Sequence, residues 1–292
     1  MGKIGNCQVI VSLHGISDSF GACLGLQLYL PETWCDDAVR REQAGIPVEI
    51  EFRRKWQMAL DLLDSARANG GPTLPVVADA GYGDAREFRD GLRERGLRYA
   101  VGVSSQTSVW RADTPLVVPP RRAATGPAPR RAVSPDGELP VLVEVLAGEL
   151  ADAGRFTRVA WRAGTKGPLD GEFAALRVRS AEKRTKGVPP GDEEWLLIER
   201  ESTGEFKYYF SSLSARATLT SFVRLAKMRW HVERDYQDMK QELGFDRYEG
   251  RSWGGLHRHL AMVALMHAFI ALHRGAFSPS GELEDVDLER LS

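Results

Sequence analysis

Two groups of side chains in this sequence are equipped for chemistry. The first is Asp79, which ends the apolar run of "LPVVADAGYG", Leu74 to Gly83. In an α/β sheet, functional groups gather at the carboxyl ends of strands. The small residues that follow let a ligand approach closely. The alternative is a turn aspartate that satisfies nearby backbone N–H groups. The second group lies in "TLTSFVRLAKMRWHVERDYQDMKQELG", where Ala226, Arg229, Glu233, Tyr236 and Lys240 are spaced 3, 4, 3 and 4 and share one stripe of a helix. Carboxylates ligate hard cations, whereas arginine and lysine hold phosphate oxygens. The bland reading is a solvated salt-bridge face, with an Arg229–Glu233 pair worth about 0.3–0.5 kcal/mol.

The elements that must position these groups can be read from periodicity. "CQVIVSLHG" is β-branched and apolar, as a strand requires. In "GACLGLQLYLP" the residues Leu24, Leu26, Leu28 and Leu30 alternate with polar or small ones until Pro31 stops the strand. The short link between the two predicts an antiparallel hairpin. A helix is expected over Val48 to Ala68, with Phe52, Trp56, Leu60 and Leu63 on one side and "NGG" as its stop. Leu74 to Ala78 is the next strand. "DAREFRDGLRERG" reads as a helix with Asp84 and Glu87 as a capping box, and Arg98 to Ser104 as a strand.

From about Thr107 to Thr185 the composition shifts, and "PPRRAATGPAPRR" reads as an exposed loop. Strands follow near Phe173 to Arg179, then a hairpin of Glu194–Arg200 and Glu205–Phe210 around "ESTG". The long helix Thr218 to Gly244 and an apolar helix near Leu256 to Leu272 close the pattern. The order implies an α/β protein with a mixed sheet. Its expected divisions are 1–106, a β-rich insertion over 107–213, the helices of 214–275 and a tail over 276–292.

The chain has 292 residues, a net charge of -1 and 43% hydrophobic residues, enough for a sizeable core. Near-zero net charge neither supports nor excludes nucleic acid. The apolar run "LAMVALMHAFIAL" is too short to cross a bilayer, and no signal peptide is recognisable. Cys7, Cys23 and Cys35 have no metal-like spacing, which suits a reducing cytoplasm.

The stripe Arg-x3-Glu-x6-Lys resembles the signature Tyr-x2-Arg-x3-Glu-x6-Lys of insertion-sequence transposases of the DDE superfamily. Here Ala226 stands at the tyrosine position. "VVADAGYG", "WRAGTKGPL", "KYYFSSL" and "KQELGFDRYEGRSWGGLHRH" are similar to one bacterial branch of that family, in the same order and across nearly the whole chain. The resemblance implies an RNase H-like fold, with Asp79 and Glu233 as the second and third members of the acidic triad. It implies Mg²⁺ (or Mn²⁺) as cofactor, and DNA as partner in the form of transposon ends and target. It also implies a homodimer synapsing two ends in the bacterial cytoplasm, with no membrane. Arg229 and Lys240 would hold DNA phosphates. Trp161, with Arg162 and Lys166 close by, would stack on a displaced base or else pack in a small β-layer.

In that family the first catalytic aspartate lies on the central strand, upstream of the segment matching "GKIGNCQVIVSL". The chain therefore reads as a truncated transposase, its first strand missing and its neighbours left with unpaired edges. Asp18, Asp36 and Asp37 are poor substitutes by position. The rival expectation is a catalytically dead DNA-binding remnant. Arg121, Arg122, Arg130 and Arg131 could track a phosphate backbone or be solvated loop charges. His257, His259, His267 and His273 make no zinc site, and His267 is expected to be a hydrogen-bonded core histidine.

Overall fold

The computed structural model describes residues 8–18, 21–117, 133–164, 167–181 and 192–276. Lys166, the arginines of 121–131 and the tail beyond 276 lie outside them. The chain divides into two compact units, one of residues 1–73 with 228–286 and the other mainly of residues 74–227.

The first unit opens with the expected hairpin, β1 (Val9–Ile16) antiparallel to β2 (Gly21–Tyr29). The leucine alternation is broken by a bulge: Leu13 faces Gly25 but His14 faces Cys23, so Leu24 is the extra residue and is exposed. A bulge shifts the phase of a strand. Cys23, and not Leu24, thus joins Leu26 in the core. After Pro31 come two short helices the periodicity did not reveal, α1 (Glu32–Cys35) and α2 (Ala38–Ala44). The helix expected from Val48 begins only at α3 (Lys55–Ala68), where the Gln57 side chain accepts the Arg54 N–H at 2.9 Å. Phe52 lies before it and meets Tyr29 edge-on at 6.4 Å.

The second unit begins with β3 (Val76–Ala78), followed by α4 (Ala80–Gly83) and α5 (Arg86–Glu94). The expected capping box at Asp84 does not form. Because "AGYG" closes a turn of helix, the N-cap of α5 moves to Ala85. Asp84 instead accepts from Ser104 N–H at 2.8 Å and from the Thr107 hydroxyl at 3.2 Å. Next are β4 (Tyr99–Val103), β5 (Ser108–Arg111), β6 (Val141–Leu142) and α6 (Val143–Asp152). Then come β7 (Thr157–Gly164), the long β8 (Gly167–Ser180), β9 (Glu193–Arg200), β10 (Phe206–Ser211) and α7 (Leu219–Met228).

The sheet order is β3-β4-β10-β9-β8-β5-β6, with β7 on β8. Among the described residues only β3 and β4 run parallel; the other pairs are antiparallel. One face is sealed by Phe222, Val223 and Ala226 of α7 against Ala100, Phe173 and Leu197. The chain is a mixed α/β protein with a mixed sheet, consistent with an RNase H-like fold. Among the described residues β1 pairs only with β2, and β3 only with β4, so each keeps one edge without a strand partner.

The first unit is completed by α8 (Trp230–Leu243) and α9 (Trp253–Ala276). The single long helix of the sequence reading is thus interrupted at Arg229. By length and composition Trp253–His273 is long and apolar enough to cross a membrane, which the shorter run inside it is not. Its Leu256, Leu260, Val263 and Ala271 are buried.

Close packing places α4. A Cβ at Gly83 would lie 1.9 Å from the Gly102 carbonyl oxygen, so the helix backbone rests directly on β4. Gly83, the second glycine of "AGYG", is required by this contact. Gly83→Ala is expected to destabilise the fold by about 2 kcal/mol or more, because backbone must shift. Gly148→Ala in α6, where a Cβ meets nothing within 4 Å, is expected to stabilise by about 0.5–1 kcal/mol. Urea unfolding of both variants checks the contrast.

Candidate functional site

Asp79 stands at the carboxyl end of β3 and is the N-cap of α4. Its Oδ1 accepts the Gly81 N–H at 2.9 Å, while Oδ2 has no hydrogen-bond partner among the described residues. The side chain is exposed. Asp79 thus makes the turn cap that the alternative sequence reading describes, and its Oδ2 is left without a partner among the described residues.

The turn that carries it is held from behind. Arg89 of α5, buried, donates through a short hydrogen bond to the Gly83 carbonyl. Its guanidinium lies over the Phe210 ring at 5.0 Å. Glu194 of β9, fully buried, is 3.9 Å from Arg89 Nε, accepts from Arg93 at 3.1 Å and accepts from the Tyr99 hydroxyl at 2.7 Å. Burial pushes the Glu194 carboxyl above its usual pKa, against the downward pull of Arg89, Arg93 and the Tyr99 hydrogen bond. Burial, then the adjoining Glu194, holds the Tyr99 phenol well above its ordinary value and so keeps it a donor.

Glu233 lies in the first turn of α8, with its side chain 58% exposed. Arg229 donates to its Oε1 at 2.6 Å, the pair expected at i, i+4, and Oε2 has no partner among the described residues. Lys240 is exposed in the last turn of the same helix. The supposed single stripe has three fates. Ala226 is buried on α7, Arg229 and Glu233 pair in the open, and Tyr236 turns inward to Ser12 of β1 at 2.6 Å.

Trp161 is the extra residue of a bulge in β7, since Ala160 faces Asp170 and Arg162 faces Leu169. Its ring meets Phe173 edge-on at 5.7 Å, and Lys227 Nζ sits 4.8 Å over it. Arg162 is half-buried beside it. Asp18 follows β1, Asp36 ends α1, and Asp37 caps α2 by accepting the Arg40 N–H at 3.0 Å. His267 is buried as expected, with Nε2 3.8 Å from Asp235 Oδ1. His259 Nε2 lies 3.1 Å from the Gly244 carbonyl that follows α8.

The sequence reading missed the polar cluster around Asp235. His14 Nδ1 donates to Asp235 Oδ2 at 2.7 Å, and His14 Nε2 is 3.1 Å from Ser12 Oγ. The only local signals were Ser12 and His14 sharing one face of a strand, and an acid at i−4 from the buried Met239. Partners 221 residues apart leave no periodic trace.

Among the described residues no three His, Cys, Asp or Glu side chains gather into a metal-holding group. Mg²⁺ is commonly held by one or two carboxylates plus substrate phosphates. Asp79 and Glu233, each with an uncommitted oxygen, suit that role in donor type. A family model described as DDE superfamily endonuclease matches residues 1–168, a span that includes Asp79 and ends before Glu233. No curated protein matches the chain.

Asp79→Ala is expected to cost about 1 kcal/mol through loss of the cap, whereas Asp79→Asn and Asp79→Ser, which keep an acceptor, stay within a few tenths. Chemical denaturation of the three variants reads this structural share separately from any activity.

Proposed function

The chain belongs to the DDE superfamily endonucleases, and from that premise we propose that it is a DNA transposase of the insertion-sequence type. Nuclease or transposase chemistry, DNA as substrate and a divalent cation are what that family implies. The observation that carries the reading is Asp79: an open carboxylate closing a parallel strand, inside the matched segment.

In this reading Asp79 and Glu233 hold the cation, Mg²⁺ or Mn²⁺. When bound, such ions clamp the attacking and leaving oxygens of a phosphodiester displacement. The α4 turn engages Oδ1 of Asp79, and the carboxylate would still have an oxygen to offer the cation. Arg229 exchanges Glu233 for a phosphate as DNA arrives, presenting its fork to two oxygens, and Lys240 contributes a point charge. Trp161, with Arg162 and Lys166 close by in sequence, would stack on a base displaced near the element end. The working form would be a homodimer holding two element ends.

The test is nicking and strand joining on supercoiled DNA carrying element ends, with Mg²⁺, Mn²⁺ or chelator. Chelation should abolish cleavage, and Asp79→Ala or Glu233→Ala should each lower it by about a hundredfold or more. Arg229→Ala and Lys240→Ala should weaken DNA retention and reduce its salt dependence by about one counterion each. Cleavage that survives both acid substitutions removes the site assignment. Retention at low salt without cleavage under any metal assigns the chain to the non-catalytic DNA-binding reading.

A further inference from the structure

The deepest polar contacts of the first unit lie on the helix that carries Glu233. Asp235 and Tyr236 follow it by two and three residues and turn into the core beside the fully buried Met239. Their partners, His14 and Ser12, sit two apart on one face of β1. The side chains of His14 and Asp235 are 1% and 7% exposed. A Cβ at Gly21 would fall 2.5 Å from Asp235 Oδ2, so the start of β2 passes directly over the carboxylate. His14 also lies tilted against the Tyr236 ring at 5.4 Å, and Phe245 meets that ring edge-on at 5.7 Å.

The four side chains form a continuous hydrogen-bonded chain. The Asp235 carboxylate accepts from Nδ1–H of His14. His14 Nε2 lies 3.1 Å from Ser12 Oγ, which in turn shares a 2.6 Å hydrogen bond with the Tyr236 hydroxyl.

We propose that Asp235 and Tyr236, gripped by His14 and Ser12, are positioning residues that set the rotation and height of α8 and so present Glu233 to the cation. The proposal rests on the reading of Glu233 as a metal ligand. Two successive helix residues, about 100° apart with 1.5 Å of rise, are tied to two strand residues about 7 Å apart. A helix held at both points has one rotation and one height. Met239 and Leu243 also pack this helix against Cys23 and Val263, but apolar contact is non-directional and fixes rotation less sharply. Side chains reach about 5–6 Å from a helix axis, so a 20° turn moves a carboxylate by about 2 Å. Productive sites tolerate only about 0.5 Å. A buried polar pair adds little net stability compared with an apolar pair of similar size, but it can specify one arrangement.

The experiment uses the full chain with nitroxide labels at Leu24→Cys and Arg234→Cys, and with Cys7→Ser and Cys35→Ser. Pulsed electron resonance reads the distance between β2 and α8, Mn²⁺ titration reads metal affinity, and a thermal melt reads stability. The pair His14→Leu with Asp235→Leu should melt within about 5 °C of the parent, broaden the label distance and weaken Mn²⁺ binding about tenfold or more, toward the level of Glu233→Gln. The conservative pair His14→Gln with Asp235→Asn should restore the narrow distance. An unchanged distance and Mn²⁺ affinity in the leucine pair would overturn the proposal. Should that pair fail to fold, Tyr236→Phe, which removes one hydroxyl, carries the test: a broadened distance supports the proposal and an unchanged one overturns it. If Glu233→Gln leaves Mn²⁺ binding intact, the metal reading fails, and the label distance alone decides whether these residues set α8.

Discussion

A carboxylate removed from water must be met by donors, and those donors must come from other parts of the chain. Among the described residues the second unit buries two such groups, Glu194 and Glu199, and the first buries Asp235. Glu194 in β9 draws Tyr99 from β4 and Arg89 and Arg93 from α5. Asp235 in α8 draws His14 from β1 and requires a glycine at the start of β2. Apolar contact brings these elements together, and the buried acids choose among the ways they could fit.

The consequence is a division between acids that hold and acids that are offered. Asp79 and Glu233 each have one oxygen engaged by a local partner and one left open. Each is a short step along the chain from an element fixed by a buried acid. Asp79 caps α4, α4 ends at the Gly83 carbonyl, and that carbonyl is held by Arg89, which faces Glu194. Glu233 shares α8 with Asp235. Exposed carboxylates gain little stability from their surroundings, so their orientation has to be borrowed from neighbours that do have a fixed environment.

Much of the scaffold was legible because it rests on local periodicity. The β1–β2 and β9–β10 hairpins, β4 and α9 follow from alternation or helical spacing read over a few residues. The failures have a common cause in tertiary contact. The leucine alternation could not show the bulge at Leu24, which seats Cys23 in the core instead. There burial raises the Cys23 thiol to about 11. Asp84 has the sequence of a helix cap, yet the one-turn α4 takes the chain past it and leaves it to bind the turn at Ser104 and Thr107. Trp56 and Leu60 belong to α3, but the amphipathic pattern extended backwards over Phe52, whose ring packs on Tyr29 from outside the helix. Asp79 and Glu233 were legible as candidates by residue type and position. Glu194 and Asp235 were not, because an acid inside a strand or helix looks like any surface charge until its partners are known.

The interruption at Arg229 shows how one sequence signature can serve separate tasks. Arg229 keeps helical dihedrals, φ -54° and ψ -28°, and its carbonyl is taken by Val232 N–H at 3.0 Å in a tighter turn. Just before it, Lys227 pairs with Glu199 and sits over the Trp161 and Phe173 rings. That anchors the end of α7 to the β7–β8 layer. Ala226 lies in the same core with Phe222 and Val223. A tyrosine, the residue of the resembling signature, would need at position 226 space that this apolar cluster already fills. Position 226 is therefore a packing position in this chain, whereas Arg229 is the first residue of the stripe to pair with another of its members, Glu233. The departure from the signature lies near the point where α7 stops serving the sheet, and α8, which carries Glu233, begins just beyond Arg229.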